Sequence, residues 1–235
     1  MPLMMRSLLL VSGAFKENLD EAFTCNADLV IVDTDAPVDC LARRPQNGGP
    51  QLYIRVHELD SGLTDADLAD FIAARPDGIL LPKASGGADI QQLSTKLRVQ
   101  EAQHGLPDGA IAIIAMASET PAALLSGASY AGASARLTGL AWGAENLARA
   151  INAQSIYDAS GHYTDVAHLA RTTILLAASN AGIAAIDAAY PDWHDLEGLE
   201  ADCIKARRDG FSAKLAIHPA QIPIINAVFG KDVKS

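Results

Sequence analysis

Gly78-Ile-Leu-Leu-Pro82, then Ile90, Leu93 and Leu97, then Ala110-Ile-Ala-Ile-Ile-Ala-Met-Ala117: this stretch decides the fold. Two near-continuous apolar runs flank a segment whose apolar residues recur at helical spacing. An apolar run without polar alternation reads as a strand buried on both faces, and two such strands joined by a helix pair in parallel, because a parallel crossover needs about a dozen or more residues.

Outward from this unit the same pattern recurs. Strands are expected at Arg6 to Ser12, Ala27 to Asp33, Leu52 to Val56, Gly78 to Pro82, Ala110 to Ala117, Arg136 to Trp142, Ala184 to Ala189 and Ala213 to Ile217. Leu68, Phe71 and Ile72 follow a Thr64-x-x-Asp67 cap, which predicts a helix there. Eight alternating units favour a (β/α)8 TIM barrel as one domain over residues 1–235. An open doubly wound sheet would call for a Gly-rich nucleotide loop after the first strand, and Ser12-Gly13-Ala14-Phe15 is neither G-x-G-x-x-G nor a P-loop. Two connections depart from the regular unit. Pro37 to Gln51, rich in Gly and Pro, predicts a turn or broken helix, whereas residues 144–183 are long enough for two helices, the second running from Asp165 to Ala181 and closed by Gly182.

With 18 Lys+Arg against 28 Asp+Glu the formal charge is −10, which argues against nucleic acid or an anionic membrane as a partner. An anionic ligand would need a local basic pocket. Hydrophobic residues make up 49% of the chain, enough for a large core. No apolar run approaches the ~18 residues of a membrane span, and Phe15-Lys16-Glu17-Asn18 stands where a signal peptide would need its cleavage site, so a cytoplasmic protein is expected. Cys25, Cys40 and Cys203 lie far apart, with neither disulfide nor zinc spacing.

In a (β/α)8 barrel, chemistry is assembled at the C-terminal ends of the strands. Asp33 and Asp35 close the second strand and share a face, Arg55 lies near the end of the third, and Lys83 follows the fourth. Glu119 follows the fifth strand, Glu145 and Asn146 the sixth, Asp187 lies on the seventh, and His218 closes the eighth. Oxygen ligands beside Arg and Lys suit Mg2+ holding a small oxo-acid, with a guanidinium taking the remaining carboxylate. Each residue also has a plainer role. Asp33 and Asp35 could cap the next segment. Arg55 could pair with a strand-end carboxylate, Lys83 could be a solvated loop residue or a Schiff-base lysine, and Glu119 could serve a helix first turn. Asp187 is expected as a buried partner of Arg55 or a backbone amide, and His218 as the residue fixing the last barrel turn. Trp142 and Trp193 read as packing residues.

Arg6-Ser-Leu-Leu-Leu-Val-Ser-Gly13, Ile31-Val-Asp-Thr-Asp35, Ile54-Arg-Val56, Leu80-Leu-Pro-Lys83, Ser118-Glu-Thr120, Gly143-Ala-Glu-Asn-Leu147 and Lys214-Leu-Ala-Ile-His-Pro-Ala-Gln-Ile222 run in the order of the citrate lyase beta subunit family, which the chain resembles. That resemblance implies a TIM barrel of the phosphoenolpyruvate/pyruvate superfamily and cleavage of a 3-hydroxyacyl-CoA, citryl-CoA- or malyl-CoA-like, into an acyl-CoA enolate and a 2-oxo acid. It implies Mg2+ on Glu119 and on the position of Asn146, an oxo-acid carboxylate on Arg55, and a substrate bed that includes Lys83, Gly143 and Ala144. It also implies a catalytic role for Asp33 and Asp35 and association into a homo-oligomer, for which the Ala/Gly-rich Pro121 to Ala135 region offers a close-packing surface.

The departures are specific. Asp35 stands for the family's Glu, Ala36 for the next Asp, and Asn146 for the metal-binding Asp, so one ligand brings an oxygen without a charge and only Glu145 next door could compensate. The family's C-terminal lid segment is expected to be lacking, which leaves a more open mouth. These departures keep two alternatives beside the lyase: a catalytically weakened relative that binds an oxo-acid or acyl-CoA as a sensor or subunit, and an acyl-CoA thioesterase working through the same enolate.

Overall fold

Each expected strand forms. A computed structural model describes residues 5–11, 19–34, 48–59 and 63–230, and in it the strands are β1 (Ser7–Val11), β2 (Leu29–Asp33), β3 (Gln51–Arg55), β4 (Gly78–Leu81), β5 (Ala112–Met116), β6 (Leu137–Ala141), β7 (Ala184–Asp187) and β8 (Ala213–Ala216). All pair in parallel with their sequence neighbours, and β8 returns to β1 with Leu8 opposite Leu215, closing the barrel. The helices are α1 (Leu19–Thr24), α2 (Asp65–Ala73), α3 (Gly87–Gln103), α4 (Pro121–Leu125), α5 (Ala144–Ala150), α6 (Asp165–Ala181), α7 (Leu196–Asp209) and α8 (Ile222–Phe229).

The caps explain the boundaries. Thr64 accepts from the Asp67 backbone N–H while the Asp67 carboxylate accepts from the Thr64 N–H, a complete capping box at the start of α2. Gly182, at φ 68°, ends α6 in the left-handed conformation that glycine adopts without a Cβ penalty. The turn or broken helix expected over Pro37 to Gln51 falls largely on residues 35–47, which lie outside the described residues. None of the described helices is long and apolar enough to cross a membrane.

Alternation along the strands creates two apolar layers. One consists of strand residues alone and draws on all eight strands: Leu8, Leu29, Ile31, Tyr53, Leu80, Ile114, Met116, Ala141, Ile186, Ala213 and Leu215. It fills the lumen. The other, larger layer packs the alternate strand residues against the helices. Gly78 is required in the lumen, because a Cβ there would lie 2.2 Å from the Tyr53 ring.

The same alternation places the strand charges. Asp33 and Arg55 continue the lumen series of Leu29, Ile31 and Tyr53 and sit at its C-terminal rim. Asp187 follows Ile186, a lumen residue, and therefore faces the helices. Its expected partnership with Arg55 is thus corrected: its carboxylate takes Lys214 Nζ at 2.8 Å, Arg171 Nε at 3.0 Å and the indole N–H of Trp142 at 2.6 Å. Lys214 also reaches Asp202, and Arg171 reaches Asp209, so the network joins β7 and β8 to α6 and α7. Burial alone would push the Asp187 carboxyl up, yet the charges of Lys214 and Arg171 hold it below the usual carboxylate range. Burial likewise disfavours the Lys214 ammonium, and Asp187 and Asp202 raise it above the usual lysine range.

Candidate active site

The C-terminal ends of β5 and β6 are laced together by Ser118, whose Oγ accepts from the Gly143 N–H at 2.8 Å and donates to the Gly143 carbonyl at 3.2 Å. This lace brings the residue after Ser118 against the first turn of α5. Glu119, only 3% exposed, takes the Lys83 backbone N–H on Oε2 at 2.7 Å and the Asn146 amide N–H on Oε1 at 2.5 Å. Among the described residues these partners are both neutral donors. A buried carboxylate with no cation beside it is costly, and a site that tolerates one is suited to receive a cation.

Lys83 reaches Glu119 through its backbone, not its ammonium. Its φ of 49° turns the chain after Pro82 so that the N–H points at the carboxylate, while Nζ pairs with Glu58 beyond β3. Gly143 lies close to the site: a Cβ there would meet the terminal methyl of Met116 at 2.8 Å and Glu119 Oε1 at 3.8 Å.

Across the rim, Asp33 and Arg55 stand in register on β2 and β3. Their closest approach is 3.9 Å, an ion pair beyond hydrogen-bond distance, with the side chains 28% and 29% exposed. A guanidinium at the mouth of an apolar lumen, loosely paired, presents a forked donor set to an incoming carboxylate.

At the β8 side, His218 Nδ1 accepts from the Ala220 N–H at 3.1 Å, which fixes the turn as expected and leaves Nε2 as the protonated nitrogen of the neutral ring. Burial lowers its pKa, helped by His194 and opposed by Glu21. Trp193 is more than a packing residue: it is 38% exposed and stacks on His218 with ring centroids 3.8 Å apart.

The chain has known relatives. Residues 6–219 match the HpcH/HpaI aldolase/citrate lyase family. The chain belongs to that family. A (3S)-malyl-CoA thioesterase of Cereibacter sphaeroides (strain KD131 / KCTC 12085) is 32% identical over 95% of this chain and 76% of the relative. Among solved structures, a citrate lyase beta subunit from Mycobacterium tuberculosis complexed with oxaloacetate and magnesium superposes with a TM-score of 0.78 at 28% identity, covering 97% of this chain and 98% of the other. Protein CitE from the same organism, in complex with magnesium, acetoacetate and coenzyme A, gives 0.77 at 26% identity over 100% of this chain and 84% of that one.

Not every expected site residue joins the C-terminal rim of the barrel. Asp33, Arg55, the Lys83 backbone, Glu119, Gly143 and Asn146 are brought to it. Glu145 is not: its side chain is 81% exposed, with its carboxylate 3.8 Å from Arg149, so as placed it does not supply the missing charge. Asp35 lies outside the described residues, and so does the side chain of Ala144, the first residue of α5.

The donor set fits a hard divalent cation in kind. Glu119 has oxygen lone pairs beyond the two that are used, and its burial without an ion-pair partner among the described residues favours a bound positive charge. Asn146 contributes an oxygen only if its amide turns over, because its N–H group now faces Glu119. Two contributors were missed in the sequence. Ser118 has no charge to mark it in the sequence, and Arg149 acts indirectly, its Nη1 donating to Asn146 Oδ1 at 2.9 Å. The i, i+3 spacing of Asn146 and Arg149 on one helix was the signal.

Proposed function

We propose that this chain is a Mg2+-dependent carbon–carbon lyase of the aldolase type, acting on a 3-hydroxyacyl-CoA of the citryl-CoA or malyl-CoA kind or on a related oxo-acid through an enolate. The observation that carries the reading is the buried Glu119 carboxylate, held by neutral donors at the same rim as the loosely paired Arg55. When bound at Glu119, Mg2+ would supply Lewis-acid stabilisation of developing negative charge.

The chain's own residues do the rest. Arg55 binds the carboxylate next to the carbinol carbon and so fixes which bond lies over the lumen. Asp33, whose Oδ1 takes the Thr34 N–H and whose Oδ2 faces Arg55, accepts the 3-hydroxyl proton in this reading, with Asp35 as the second carboxylate of that sequence segment. Loss of that proton drives rupture of the C2–C3 bond: the C3 side leaves as a 2-oxo acid and the electron pair passes to C2 of the thioester. Returning a proton to C2 gives the acyl-CoA. Gly143 and the Lys83 turn shape the bed beside Glu119.

Thioester hydrolysis is the second reading, supported by the name of the Cereibacter relative. A binding role without turnover is the third, supported by the neutral Asn146. One experiment separates all three: incubation with malyl-CoA or citryl-CoA and Mg2+, following acyl products by mass spectrometry and free thiol by a colorimetric reagent. Acetyl-CoA with a 2-oxo acid supports the lyase, free CoA thiol with intact malate or citrate supports the thioesterase, and recovery of unchanged substrate supports the binder. We also propose that the chain forms a homo-oligomer, in which case light scattering returns a multiple of 24.6 kDa.

A further inference from the structure

Asn146 is held between groups of opposite polarity. Its Nδ2 donates to Glu119 Oε1 at 2.5 Å, and its Oδ1 accepts from Arg149 Nη1 at 2.9 Å. A carboxylate only accepts and a guanidinium only donates, so this pair of neighbours fixes the amide one way round: nitrogen toward Glu119, oxygen toward Arg149. Turned over, the amide would set its oxygen against the carboxylate, an arrangement that a cation between the two oxygens would stabilise. It would also set its N–H group against the guanidinium, which would have to give up this hydrogen bond and turn into solvent.

We propose that Arg149 is a positioning residue that weakens cation binding at Glu119 by holding the Asn146 amide in its donor orientation. A divalent cation can use the Asn146 oxygen only by breaking the Arg149 hydrogen bond, whereas a ligand that needs a donor at this point finds one ready. This inference rests on the reading of Glu119 as the cation site. It extends that reading to α5, whose exposed second turn thereby sets the affinity of a buried group.

The test is Mn2+ binding, measured by electron paramagnetic resonance of the free ion, in wild type, Arg149→Met, Arg149→Lys and Asn146→Asp, each confirmed as folded by circular dichroism. Arg149→Met is expected to bind Mn2+ about fivefold more tightly, the size of one solvent-exposed hydrogen bond. Arg149→Lys, which keeps a cationic donor, is expected to stay near wild type. The gain must persist at about 0.5 M salt, where repulsion between a surface charge and the ion is screened but the amide's orientation is unaffected. Unchanged affinity in Arg149→Met, or a gain that vanishes at high salt, overturns the proposal. Tightening in Asn146→Asp with none in Arg149→Met, or equal binding in all four proteins, overturns this inference alone, whereas absence of binding in all four overturns the Glu119 site along with it.

Discussion

Arg55 shows how far alternation and burial can take a single residue. It ends β3 on the lumen face, and its only ion pair among the described residues is the 3.9 Å contact with Asp33. A partly exposed pair at that distance contributes below about 1 kcal/mol. Arg55→Ala is therefore expected to leave the melting temperature nearly unchanged while abolishing oxo-acid binding, read by calorimetric titration with pyruvate or oxaloacetate. A collapse of the melt would instead assign Arg55 a structural role. Asn146→Asp is the complementary change, adding a formal charge beside Glu119, and should tighten Mg2+ binding by an order of magnitude or so. These two positions were legible in the sequence because a charge or amide at a strand end invites the question of its partner. The direction in which Asn146 points was not legible, since it depends on Arg149 one turn away and on a carboxylate from another strand.

At the scale of elements, the boundaries were legible to within a residue or two wherever a cap or an uninterrupted apolar run marked them: Thr64 for α2, Gly182 for α6, and the strands throughout. The buried network was not, because Asp187 and Lys214 meet across neighbouring strands and only the pairing of β7 with β8 turns both toward the helices. That network locks β7 and β8 to α6 and α7. Lys214→Met would leave Asp187 short of a charge partner in a dry layer and is expected to cost about 3 to 5 kcal/mol in urea denaturation, without displacing Arg55 or Glu119. The pH dependence follows from the direction of the Asp187 shift. A carboxyl held below its unfolded value stabilises the fold above that value and loses its contribution as pH falls through the folded one. Acid unfolding should therefore draw on this site below about pH 4, and a titration of stability that stays flat down to pH 2 would contradict it. A second element-level test is Gly78→Ala, whose Cβ must displace the Tyr53 ring; a loss of about 1 to 3 kcal/mol is expected, partly restored by Tyr53→Leu in the same chain.

For the whole molecule, the closed barrel explains why the chemistry gathers on one side: all eight strands run the same way, so the loops that follow them share a single rim. A net charge of −10 opposes anionic substrates, so an oxo-acid requires a local cation such as Arg55 at the rim. The proposed chemistry requires a cation at Glu119 beside that guanidinium. The direct measurement is calorimetric titration of Mg2+ together with pyruvate into the wild-type protein and Glu119→Gln. One Mg2+ per chain in the wild type, with pyruvate binding dependent on it and both lost in Glu119→Gln, is the predicted result; Mg2+ and pyruvate bound equally well by Glu119→Gln would contradict it.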